Sequence, residues 1–211
     1  MSRRPHRCGR VRKRHGGATL IVTLILLIAV LMLGLSAAQI ALLAEKASRN
    51  DRDRQIAFQA AEAALIDAEL DIEHSPDSTR SRSHLFSGNS ARGFPEAGTC
   101  GTAAAGMSFG LCAPAAAGAG KAPVWLGVDF DDVGAATARS VPFGRFTGRV
   151  FQTGKGALPS RPPRYVIELM SYSQHGESAE RPGYFYRITA IGYGARDITQ
   201  VVLQSFYRKE G

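Results

Sequence analysis

From Ala18 to Ala44 the chain runs for 27 residues without a charged side chain, and this run limits what the rest can be. A helix needs ~20 apolar residues to cross the core of a bilayer, so the run is long enough to span one and emerge as a continuing helix. The 17 residues before it hold seven Lys or Arg and no acid. Basic flanks stay on the cytoplasmic side, so the predicted topology has the N-terminus inside and everything after Ala44 outside.

The formal charge of +8 suggests nucleic acid until it is divided by segment. Beyond residue 17 there remain 19 Lys and Arg against 18 Asp and Glu, so the exported portion is close to neutral. It has no footprint for binding by counterion release, and nucleic acid is not an expected partner. About 165 residues follow the apolar run, enough for one small domain with its own core. Of the three cysteines, Cys8 lies in the basic leader. Cys100 and Cys112 form an even pair in the exported part, separated by a Gly/Ala-rich stretch, and read as one disulfide; two free thiols are the alternative.

Helix-forming composition continues past the apolar run as far as Pro76, with no Gly after Gly34. A continuous helix from Ala18 to His74 would be about 85 Å long at 1.5 Å per residue. In its outer half Phe58, Ala61, Leu65, Ala68 and Ile72 recur at helical spacing and predict an apolar face, with Asp67, Asp71 and Glu73 away from it. Residues 75–122 are rich in Ser, Gly, Ala and Pro and read as loop. Five β-rich stretches follow: Val124–Phe130, Val141–Phe151, Tyr165–Tyr172, Tyr184–Tyr193 and Ile198–Tyr207. The last two are joined by Gly194–Asp197 and form the strongest hairpin signal, with Val201 and Leu203 expected to meet the helix face. The fold class expected is α+β: a long N-terminal transmembrane and amphipathic helix packed on an antiparallel sheet. The expected divisions are 1–17 (leader), 18–44 (span), 45–74 (helix continuation), 75–122 (loop with disulfide) and 123–211 (sheet).

The boundary Gly17-Ala18-Thr19-Leu20-Ile21-Val22 resembles the processing site of type IV pilins, where a basic leader is cut after Gly and the next residue is methylated. Ordinary pilins begin Phe-Thr-Leu-Ile-Glu, so Thr19, Leu20 and Ile21 match while Ala18 and Val22 depart. Three further stretches resemble PilX-type minor pilins: Asp51–Leu65, Pro163–Glu168, and Tyr186–Gly194 with Thr199–Tyr207. The resemblance implies a minor pilin cut by the prepilin peptidase and held in the bacterial inner membrane with its C-terminal domain in the periplasm. It also implies incorporation in the extracellular pilus, at or near the tip. Partners implied are other minor pilins, the major pilin, the inner-membrane assembly platform and a large tip adhesin. Pilus biogenesis, adhesion and twitching motility are the processes implied. The chain is also similar to the K-type pseudopilin of type II secretion. An ordinary pilin carries an acid where this chain has Val22, thought to pair with a neighbour's N-terminal amine; it also often carries a Pro where this chain has Gln39. The alternative is an unprocessed single-pass protein with a periplasmic sensor or adaptor domain.

Other residues weigh less. Asp129, Asp131 and Asp132 are a weak calcium candidate, with a solvated strand end as the plainer reading. His74, His84 and His175 share no ligand spacing, and Glu62 reads as a solvent-facing charge, with a polar contact to another subunit as the alternative. No catalytic pattern is found, so neither an enzyme nor a cofactor is expected.

Overall fold

The computed structural model describes residues 17–115, 122–172 and 183–209. Two compact units are distinguished, one ending at Arg49 and the other comprising Asn50 onward. A single helix, α1, spans Ala18–Glu73.

In the first unit α1 is exposed throughout, with Leu20, Leu33 and Ile40 69%, 71% and 67% accessible. Two of its hydroxyls turn inward: Thr23 donates to the Leu20 carbonyl (2.9 Å) and Ser36 to the Met32 carbonyl (2.9 Å). Such back-bonding satisfies these two hydroxyls within the helix itself. The helix is long and apolar enough to cross a membrane.

In the second unit the helix packs on a five-stranded sheet of order β1-β3-β4-β5, with β2 also paired to β3. The strands are β1 (Leu111–Cys112), β2 (Val141–Pro142), β3 (Arg164–Tyr172), β4 (Gly183–Tyr193) and β5 (Gln200–Tyr207). Pairing is antiparallel except between β1 and β3, which run parallel, so the α+β arrangement holds with a mixed sheet. The main core lies between helix and sheet and includes Ala64, Ala68, Ile72, Phe109, Leu111, Tyr165, Ile167, Tyr186 and Ile188. On the other face of the sheet Val124, Trp125 and Phe130 cover the disulfide and Val166.

Three expectations need correction. Val124–Phe130 is no strand: Val124–Gly127 is a 3-10 helix. Val141–Phe151 is extended only at Val141–Pro142, because Gly144 (φ 77°) turns the chain. Residues 75–115 are not merely loop: Arg82, Phe86 and Phe109 from this stretch are buried.

The buried face of α1 is Asp53, Ala57, Ala60, Ala61, Ala64, Asp67, Ala68, Asp71 and Ile72. Ala61, Ala68 and Ile72 belong to the predicted stripe, but Phe58 is 39% exposed and Leu65 half-buried. Asp67 and Asp71, expected away from the face, are 0% exposed, whereas Glu73 is exposed. The reason is close approach. A Cβ on Gly192 would collide with the Ala57 carbonyl oxygen and the Ala61 amide nitrogen. Helix and strand therefore meet backbone to backbone, and only the alanine side of the helix fits. Val201 and Leu203 pair with Gly192 and Ala190, which puts them on the helix-facing side of the sheet, half-buried.

Candidate functional site

Gly17, Ala18, Thr19, Leu20, Ile21 and Val22 lie at the start of α1, all exposed, with Val22 54% accessible. No acid occurs before Glu45, so the surface these residues begin is uncharged up to that point and mostly apolar, with Gln39 its one amide. Such a surface can pack against other apolar helices or lipid, and offers no charge to fix a register.

The second unit carries a seam of three buried carboxylates on α1, each holding a different distant segment. Asp53 accepts from Arg196 Nε (2.9 Å), the Arg196 amide (3.2 Å) and Thr199 Oγ1, which fixes the β4–β5 turn. Asp67 accepts from the Gly144 amide (2.7 Å) and Thr147 Oγ1, with Arg149 3.7 Å away. Asp71 is paired with Arg82, whose Nη2 approaches to 2.6 Å and Nε to 3.0 Å; Tyr165 OH also donates to it at 2.9 Å. Arg82 is 0% exposed. Its remaining nitrogen donates to the carbonyls of Met107 (2.8 Å) and Phe109, while the Phe146 ring lies 3.6 Å from its guanidinium carbon. A buried ion pair is tolerated only when such extra hydrogen bonds replace lost water. This network is a clamp on the Ser-rich segment.

The seam also sets the acid response. Burial pushes the Asp53 carboxyl up, but the hydrogen bonds from Thr199, Arg196 and Ala195 outweigh it and hold the group below its ordinary 3.8. For Asp67 burial prevails over Thr147, Gly144 and Arg149, and the carboxyl sits above 3.8. Burial, aided by Asp71, keeps the Tyr165 phenol well above its usual value, so it stays a donor. By linkage, the stabilisation from Asp53 is complete above 3.8 and lost as pH falls through its lower folded value. Asp67 acts oppositely: just above 3.8 the folded state binds the extra proton, so stability rises as pH falls through that window. Denaturant titrations across pH 2.5–6 check this. Asp53→Asn should flatten the stability loss below 3.8, and Asp67→Asn should steepen the profile just above it.

Cys100 and Cys112 form the disulfide, joining β1 to an isolated bridge with a Cα–Cα distance of 4.1 Å. Closing a loop of this length contributes about 3 kcal/mol by the chain-entropy estimate. Asp129, Asp131 and Asp132 are not gathered about one point. Asp129 accepts from the Asp131 amide, Asp131 pairs with Arg161, and Asp132 accepts from the Gly134 amide and Thr137. Among the described residues there is no cluster of three or more metal-ligating side chains. His74, His84 and Glu62 are exposed, while His175 lies outside the described residues.

Arg82 was invisible to sequence reasoning. The available signal was the helix itself: Asp53, Asp67 and Asp71 share the alanine face, and a carboxylate buried there demands donors from elsewhere.

The model of the type IV pilus assembly protein PilX C-terminal region matches residues 96–209, and the PilX N-terminal model matches residues 16–65. Together these take in the Gly17 boundary, the Asp53 end of the seam, the disulfide and β3 to β5. No curated protein and no solved structure matches the chain.

Proposed function

Because the chain belongs to the PilX family of type IV pilus assembly proteins, we propose that this membrane-anchored minor pilin primes pilus assembly from a position at the fibre tip. Family membership makes it a structural pilus component. Its N-terminal leader stays in the cytoplasm and is removed by the prepilin peptidase between Gly17 and Ala18, and the C-terminal head faces the periplasm until the subunit leaves with the pilus. Residues 1–17, 18–44, 45–74, 75–122 and 123–211 then serve as leader, span, helix continuation, disulfide-bearing segment and sheet. Other minor pilins, the major pilin, the assembly platform and a tip adhesin are its partners.

The observation that carries the tip position is the uncharged surface of α1 up to Glu45, with Val22 where a repeating subunit needs an acid. An amine left unpaired among apolar helices is expensive, so a subunit without that acid is a poor repeating unit. As the terminal subunit it has no neighbour above whose amine requires pairing. Val22 packs there without penalty.

The test joins processing to position. The intact mass of the protein from sheared pili should lack Met1–Gly17, and a label on the head should appear at one fibre end, in few copies. A full-length mass would make it an unprocessed anchor, and labels spread along the shaft would remove the tip assignment.

A further inference from the structure

The two edges of the sheet are finished differently. On one side β3 meets only the two-residue strands β1 and β2, and the disulfide bridge closes over that side. On the other, β5 pairs with β4 in unbroken register from Tyr186 opposite Tyr207 to Tyr193 opposite Gln200. Its eight residues, Gln-Val-Val-Leu-Gln-Ser-Phe-Tyr, include no charge, proline or glycine, and the register shows no bulge. These are the devices by which natural sheets protect an edge. Among the described residues no backbone hydrogen bond reaches β5 except from β4. Among the described residues, alternate N–H and C=O groups from Gln200 to Phe206, roughly 24 Å of strand, have no backbone partner other than β4.

At the C-terminal end of this strand lies an open cavity of about 280 Å³, lined by Tyr172, Phe185, Phe206, Tyr207 and Arg208. Phe185 stands 6.0 Å from Tyr172 and 6.0 Å from Phe206, ring centre to ring centre. Phe206 is 65% exposed. The Arg208 guanidinium lies 5.3 Å from the Tyr172 ring centre, and none of the ion pairs among the described residues includes it. Phe206 and Arg208 are two residues apart, so they occupy one face of the extended chain.

We propose that β5 receives an extended strand of a different protein by main-chain pairing, with a large apolar side chain seated in the aromatic cavity and a carboxylate two residues away on Arg208. In strand addition the backbone supplies affinity and pockets for alternate side chains supply specificity, and both parts are present here. Charge complementarity selects the occupant. A second copy of β5 is the wrong partner, since its own Phe206 and Arg208 place a cation two residues from the apolar side chain. This site belongs to the head alone and does not rest on the tip assignment.

The experiment uses the full chain in detergent micelles and fluorescein-labelled nine-residue peptides of alternating Thr and Val carrying Phe-Thr-Glu or the reversed Glu-Thr-Phe, read by anisotropy. One of the two should bind saturably. N-methylation of alternate amides along one peptide edge should abolish binding, and the same change along the other edge should leave it intact. Arg208→Gln should weaken the Glu peptide about tenfold while changing its Gln counterpart less than twofold, and Phe206→Ala should weaken both. Both replaced side chains are exposed, so the variants keep the core. Three results would overturn the proposal: no saturable binding by either peptide to millimolar concentration, binding indifferent to N-methylation, or self-association of the chain abolished by Phe206→Ala.

Discussion

Arg82→Met is expected to lower the stability of the head by about 3–5 kcal/mol, the cost of removing one partner from a buried ion pair. The substitution preserves bulk but leaves the Asp71 carboxylate with only Tyr165, and strips the carbonyls of Met107 and Phe109 of their donor. With ordinary domains stable by ~5–15 kcal/mol, such a loss puts the variant near its folding threshold. Arg82→Lys should fall between, because an ammonium cannot reproduce the fork that contacts both Asp71 oxygens while a third nitrogen serves the carbonyls. The decisive comparison is Arg82→Met with Asp71→Leu. If the unpaired carboxylate is the main cost, the double variant regains stability over Arg82→Met in a urea titration. If it is worse still, the pair contributes chiefly through packing.

Gly192→Val should cost about 3 kcal/mol, the upper part of the usual range for overpacking, and lower the thermal midpoint by roughly 6–12 °C. The new Cβ meets the backbone of α1 at Ala57 and Ala61, so no rotamer change relieves it and the helix must move off the sheet. Gly127→Ala is the matched control, since a Cβ there has nothing within 4 Å. Similar midpoints for the two variants by circular dichroism would refute backbone contact at Gly192.

Some of this was legible in the sequence and some was not, for physical reasons. The helix followed from 27 residues without charge and the absence of Pro between Ala18 and its end. The β4–β5 hairpin followed from two aromatic and β-branched runs around Gly194. The face of the helix did not. Phe58 and Leu65 outweigh alanine in any apolar count, but the sheet opposite is built from Gly192 and Ala190, and the separation it permits admits only small side chains. Arg82 was hidden because its partners are a helix carboxylate 11 residues earlier and two backbone carbonyls, one of them 27 residues later. Backbone carbonyls carry no residue-type signal. The false strand at Val141–Phe151 has a related cause: Gly144 turns the chain so that its amide can serve Asp67, a demand set 77 residues away.

The distances along the chain at which the seam is closed give the head a built-in order of completion. Asp53 finds Arg196 and Thr199 after 143 and 146 residues, and Lys209 reaches the Ile72 carbonyl after 137. Both ends of the packed helix are thus fastened by residues far along the chain, Arg196 and Thr199 at one and Lys209 at the other. Doubling a loop adds only about 0.6 kcal/mol to its closure, so this separation taxes the speed of folding more than the final stability. Until the β4–β5 hairpin docks, Asp53 lacks Arg196 and Thr199, and the Ala57–Ala61 end of the alanine face lacks Gly192. The β4–β5 hairpin is therefore a latch on the Asp53 end of the helix, added to a seam whose Asp67 and Asp71 sites are closed by Gly144, Thr147, Arg82 and Tyr165 from nearer along the chain.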